Sequence, residues 1–138
     1  MKFYVGATRQ NDGKTLTCLG LISALRKRFA RIGYIKPIGQ RYVEIDGYKI
    51  DEDAVLVKKI YGLSMALPDM SPVAIPRRFT EGYIDAPHRE ELLDAITNAF
   101  ANVQSGSDAI VVRVPATPAW VRCSICPMAK LPRSWAAR

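Results

Sequence analysis

The apolar positions of the chain fall into short runs that alternate with helical stripes. Phe3-Tyr4-Val5 is a run too short for a helix and reads as a strand. Leu19, Ile22, Leu25 and Phe29 then recur at helical spacing. Arg26, Lys27 and Arg28 cluster towards the end of that stripe, where a helix dipole favours cations. Gly33 resets the pattern, and Tyr34-Ile35 reads as a second buried strand ending at Lys36-Pro37. A strand–helix–strand unit of this length predicts a parallel pair with a right-handed crossover. Residues 40–50 are polar and mixed and predict a loop. A helix is expected from Asp51 to Tyr61, with Val55, Leu56 and Ile60 as its apolar set and Gly62 as its stop.

Pro68, Pro72 and Pro76 divide the next stretch into loop and short extended pieces. Pro87 suits the first turn of a further helix running to about Val103, with Leu92, Leu93, Ile96 and Phe100 facing inward. Ser105-Gly106-Ser107 reads as a turn. Ala109-Ile110-Val111-Val112 is β-branched and does not alternate, the pattern of a strand buried on both faces. No internal repeat or low-complexity segment is present.

After Val112 the pattern collapses. Residues 113–138 hold four prolines, two tryptophans and two cysteines without periodicity. The formal net charge of +7 is concentrated here: all 13 acidic residues precede residue 109, whereas Arg113, Arg122, Lys130, Arg133 and Arg138 follow it. The excess is thus a property of the tail, and the body of the chain carries no nucleic-acid signature. At 138 residues and 49% hydrophobic, the chain has about one domain's worth of core. The apolar runs fall short of the ~20 residues of a membrane span. Lys2 is followed by only a short apolar strand, unlike a secretory leader. A cytoplasmic protein is expected. Cys18 reads as a small core residue. Cys123 and Cys126 form a C-x-x-C that lacks two further zinc ligands, since the only histidine, His88, is distant in sequence and reads as a surface residue.

The candidate chemistry lies between the first strand and the first helix. There Gly6-Ala7-Thr8-Arg9-Gln10-Asn11-Asp12-Gly13-Lys14-Thr15 ends in Gly-Lys-Thr. A loop of small residues leading into a helix lets backbone N–H groups wrap a phosphate, with the helix dipole behind them. The lysine then reaches the β/γ oxygens and the threonine hydroxyl faces Mg²⁺. The spacing departs from G-x-x-x-x-G-K-[ST], which would place a glycine at Thr8; the nearest is Gly6. The order strand, loop, helix nevertheless makes this a P-loop with ATP and Mg²⁺ as the expected cofactors. Asn11, Asp12, Gly13, Lys14, Thr15 and Leu16 are the expected cofactor-binding residues.

The first 112 residues resemble the dethiobiotin synthetase-like group of P-loop proteins. That group includes cobyrinic acid a,c-diamide synthase-type amidases and the N-terminal domain of long phosphotransacetylases. Beside the P-loop, Tyr34-Ile35-Lys36-Pro37 resembles the group's Y-x-K-P, and Asp53-Ala54 its D-A at the start of the next helix. The stretch Ser71-Pro72-Val73-Ala74-Ile75-Pro76-Arg77-Arg78-Phe79-Thr80 is similar to the middle segment of the phosphotransacetylase-type members. The resemblance implies a three-layer α/β P-loop domain with a mainly parallel sheet, stopping after about three strands. It implies Lys14 and Lys36 as catalytic residues and Thr15 and Asp53 on the metal side. Asp53 equally suits a first-turn carboxylate held by the helix dipole, and Lys36 a solvated strand end. Arg9, five positions before Lys14, stands where deviant P-loops of the ParA/MinD type carry a lysine; a solvent-facing loop residue is the other reading.

The group's third strand should end in a hydrophobic residue followed by E-G, whose glutamate serves Mg²⁺. Here Val112 is followed by Arg113-Val114. A neighbouring reading frame, taking the last base of each codon with the first two of the next, permits G-T-G-H-A-G-V-G from Val114 onward. That reads as the Gly-rich loop expected after the E-G. Two regions follow from this: residues 1–112 as the N-terminal part of a nucleotide-binding domain, and residues 113–138 as an atypical basic tail, out of frame. Three functions are implied. The first is a parent enzyme that uses ATP to activate a small carboxylate or carbamate for C–N bond formation, this chain being an inactive fragment. The second is a regulatory nucleotide-binding module without turnover. The third, resting on Arg9, is a ParA-like ATPase. Neither membrane nor nucleic acid is an expected partner, and a homodimer is expected of the full-length parent.

Overall fold

The structure is a computed structural model that describes residues 1–7, 13–75 and 89–114. Its strands are β1 (Lys2–Val5), β2 (Ile32–Ile35), β3 (Ile38–Gly39), β4 (Tyr42–Ile45), β5 (Tyr48–Asp51), β6 (Val73–Ala74) and β7 (Ala109–Arg113). Its helices are α1 (Lys14–Leu25), α2 (Glu52–Tyr61), α3 (Leu67–Met70) and α4 (Arg89–Ser105). The principal sheet is parallel, with order β1-β7-β2. The expected β1–β2 pair does not form, because β7 lies between them: Lys2 is opposite Ile110 and Ile32 opposite Ala109. The β-branched run of β7 accounts for this, since only the strand buried on both faces and flanked on both sides can be apolar at every position.

Successive side chains of β7 enter opposite cores. Ala109 and Val111 join Cys18, Ile22 and Leu25 of α1 and Ala54 and Val57 of α2. Ile110 and Val112 join Ile96, Ala99, Phe100 and Val103 of α4. The result is the expected three-layer arrangement of helix, parallel sheet and helix. Within α1 the stripe Cys18, Ile22 and Leu25 is buried; the helix ends at Leu25, so Arg26, Lys27 and Arg28 occupy the turn that follows. In α4 the buried set is Ile96, Ala99, Phe100 and Val103, with Leu92 and Leu93 half-buried. Pro87 and His88 lie outside the described residues.

Two expectations need correction. Residues 40–50 do not form a loop: β4 and β5 pair as an antiparallel hairpin, with Val43 opposite Ile50. Its two-residue turn is Asp46-Gly47, both at positive φ (51° and 80°). Asp-Gly matches the twist of a hairpin and is among its strongest short-range signals. In α2 the fully buried residues are Ala54 and Val57, and the expected Val55 packs half-buried against the same core, whereas Leu56 and Ile60 are 40% and 51% exposed. The small Ala54 lets α2 lie close to the sheet, so the inner stripe is displaced from the larger residues that suggested it. The stop at Gly62 is as expected, with φ 62° and its N–H donating to the Lys58 carbonyl. The proline-rich stretch supplies α3 and the short strand β6, which pairs in parallel with β3.

Candidate functional site at the ends of the parallel strands

Parallel strands deliver their C-terminal ends to one edge of the sheet, and in open α/β sheets ligands bind there. Here β1 ends at Val5, opposite Arg113 of β7, and Ile35 of β2 is opposite Val112. Lys36, the next residue of the chain, is thereby carried beside Arg113. Gly13, with φ 71°, turns the backbone into α1, and Lys14 and Thr15 open that helix. The first-turn N–H groups of a helix have no intrahelical acceptor. The first turn of α1 contains no acidic side chain that would repel an anion.

The hairpin brings in the opposing charges. Asp51 ends β5 and caps α2, accepting from the Asp53 N–H at 2.9 Å. Its own N–H donates to Ser71 Oγ at 3.0 Å. Lys36 is 6% exposed, so it is not a solvated strand end. Its Nζ donates to Asp51 Oδ1 at 2.7 Å and to Asp53 Oδ2 at 2.6 Å. Thr15 Oγ1 donates to Asp53 Oδ1 at 2.8 Å. Arg113 closes the group, with Nη1 2.8 Å from Asp53 Oδ2 and Nη2 donating to Thr15 Oγ1 at 3.3 Å. Asp53 thus receives a hydroxyl, an ammonium and a guanidinium.

The two aspartates respond differently to similar surroundings. Burial pushes the Asp51 carboxyl up, against the opposing pull of Lys36, and the net direction is upward. For Asp53 burial also pushes upward, but Lys36, the Thr15 hydroxyl and Arg113 together outweigh it and hold the carboxyl below its ordinary value. Asp53 therefore contributes stability above the usual carboxylate range that is lost as pH falls through its lowered value, while Asp51 has the opposite sign. Asp51 is fully buried, and its Oδ2 has no hydrogen-bond partner among the described residues. It fits because Gly39 faces it: a Cβ at residue 39 would stand 2.7 Å from Asp51 Cβ and Oδ2. Gly39→Ala is therefore expected to cost about 1–3 kcal/mol in urea unfolding, by displacing Asp51 from Lys36.

Of the sequence-derived candidates, Thr15, Lys36 and Asp53 are joined by direct contacts, and Lys14, also buried, adjoins Thr15 at the start of α1. Leu16 is 75% exposed, so any contribution to a cofactor site comes through its backbone. Arg9, Asn11 and Asp12 lie outside the described residues, as do Cys123, Cys126 and all of 115–138. Asp51 and Ser71 were not among the candidates. An aspartate directly before a helical stripe is an N-cap signal, and Asp51-Glu52-Asp53 places a second carboxylate two residues away. In the sequence Arg113 stands out only for the carboxylate it replaces. Its position at the end of a buried strand places a long cation over the P-loop side of the sheet. Cys18 is a core thiol as expected, its pKa pushed up to about 11 by burial.

A parallel α/β sheet whose first strand leads into a Gly-Lys-Thr helix start defines the class of P-loop NTPase-like nucleotide-binding domains. A family model described as an AAA domain matches residues 1–113, and the chain belongs to that family. The chain is also similar to the phosphate acetyltransferase of Nitrosomonas europaea, 28% identical over 110 residues, and to that of Pseudomonas putida, 27% identical over 110 residues. Both alignments cover 80% of this chain but only 15% of the relative, so the chain spans a small part of the curated relatives it matches. The likeness to phosphotransacetylases read from the motifs is thus borne out as distant homology. Among the described residues no helix is long and apolar enough to cross a membrane.

Proposed function

We propose that this chain is a nucleotide-binding module that holds ATP without turning it over. The first turn of α1, from Gly13 to Leu16, takes the phosphates, and Lys14 supplies their countercharge. Asn11 and Asp12 are the further candidates for phosphate contact that the sequence motif supplies. Thr15 and Asp53 form the cation-facing side. The single observation that carries the reading is the clamping of Thr15 and Asp53 by Arg113, which leaves no carboxylate at the end of β7 to position a metal or a nucleophile. Phosphoryl transfer depends on that positioning. The similarity to phosphate acetyltransferases agrees with a module serving a longer protein.

Titration of the purified 138-residue chain with ATP, followed by an assay for phosphate release, tests the reading. Binding without turnover above background is expected; ATP consumption at an ordinary enzyme rate would overturn it. Carboxylate activation for C–N bond formation is the second reading, with Lys36 at the substrate. Its buried pairing with both aspartates favours a structural role for Lys36 instead. A carboxylate-dependent release of ADP would favour the enzyme. The basic tail 113–138 is proposed to be the product of a shifted frame, and gene sequence around codon 113 decides it: a closed neighbouring frame makes the tail genuine.

A further inference from the structure

Thr15 Oγ1 and Asp53 are hard oxygen donors of the kind Mg²⁺ selects, but their arrangement does not suit it. The ion needs a near-octahedral set of oxygens at about 2.0–2.1 Å. The oxygens that would face it are already engaged by cations: Asp53 Oδ2 by Lys36 Nζ and Arg113 Nη1, and Thr15 Oγ1 by Arg113 Nη2. Among the described residues no group of three metal-ligating side chains occurs.

We propose that the Arg113 guanidinium takes the place of the divalent cation, so that the chain binds a nucleoside di- or triphosphate free of metal. The inference rests on the nucleotide reading above and concerns the chain as written, in which Arg113 ends β7 whichever frame encodes the parent. Three features support it. The Arg113 side chain is only 12% exposed and is held against the two groups on the metal side. Its strand is fixed at this level, with Val114 N–H donating to the Val5 carbonyl at 2.9 Å where the P-loop begins. Its Nε is buried and has no acceptor among the described residues. A guanidinium stays charged at any working pH and presents a planar fork matched to phosphate oxygens. Lys14, Lys36 and Arg113 together outnumber Asp51 and Asp53, so a polyphosphate meets positive charge without a metal, while an added divalent ion meets repulsion.

The test is isothermal titration of the full chain with ADP and with ATP, in EDTA and in Mg²⁺, beside Arg113→Glu and Arg113→Met. Unaltered chain should bind equally in both buffers. Arg113→Glu should lose about tenfold or more in EDTA and recover in Mg²⁺, and Arg113→Met should weaken in both. Wild-type binding that requires Mg²⁺ would overturn the inference. Mn²⁺ titration without nucleotide, read by electron paramagnetic resonance, separates this from the nucleotide reading. No ion held by the unaltered chain and one held by Arg113→Glu supports the exchange of guanidinium for metal even if nucleotide binding fails. Mn²⁺ held by the unaltered chain with Thr15 and Asp53 as ligands would refute it. If Arg113→Glu folds only with Mn²⁺, the metal-dependent rise in its Tm gives the same answer.

Discussion

Lys36→Met is expected to destabilise the domain by about 3–5 kcal/mol, the cost of removing one partner from a buried ion pair. The ammonium lies between Asp51 Oδ1 at 2.7 Å and Asp53 Oδ2 at 2.6 Å, and the Asp51 side chain is wholly inaccessible. Without Lys36 the Asp51 carboxylate keeps, among the described residues, only the Asp53 N–H as a partner, and the two carboxylates lie two residues apart at the start of α2. Because Lys36 is itself buried, solvent does not screen the loss as it would on a surface. A domain of this size has only about 5–15 kcal/mol in total, so the variant should stand near its unfolding threshold. Urea denaturation measures it. Lys36→Met combined with Asp51→Asn should recover much of the stability, since the second change removes the charge the first one strands. A single variant within about 1 kcal/mol of the parent would show that Asp51 is already neutral in the fold.

The second large effect concerns affinity. Lys14→Ala is expected to weaken ATP binding by about 10–100-fold, the range of one or two lost hydrogen bonds to charged phosphate. Alanine is the best helix former, so the start of α1 should persist. Lys14→Met, which keeps most of the buried stem, should bind as poorly as Lys14→Ala while matching the parent in Tm. Unchanged ATP affinity in either variant would sink the P-loop reading.

Much of the fold could be read from the chain because its signals are local. The apolar run at 109–112, the stripe Leu19-Ile22-Leu25-Phe29, of which Ile22 and Leu25 are buried and Leu19 and Phe29 half-buried, and the Gly62 stop each act within a few residues. Pairing was less accessible. That β7 parts β1 from β2 depends on contacts between residues more than seventy apart, which periodicity does not encode. The hairpin at 42–51 does not stand out in the sequence although Asp46-Gly47 announces it, because its strands are short, largely half-exposed and interrupted by Glu44, Lys49 and Asp51. At the site, Lys14 and Thr15 stand in a contiguous motif. The charge network is different. It draws Lys36 from just beyond β2 and Asp51, Asp53 and Arg113 from β5, α2 and β7, and only the folded sheet edge brings them together.

The sheet order also has a consequence in time. A ribosome releasing residues in order makes β1 and β2 first, yet among the described strands neither has a neighbour until 109–113 emerge. At about 5–20 residues per second, the interval between β2 and β7 is on the order of ten seconds. Throughout it two apolar strands present open edges to the cell, and closure demands contacts of high sequence separation, the slow kind. Chaperone demand during synthesis should therefore be set by when β7 arrives.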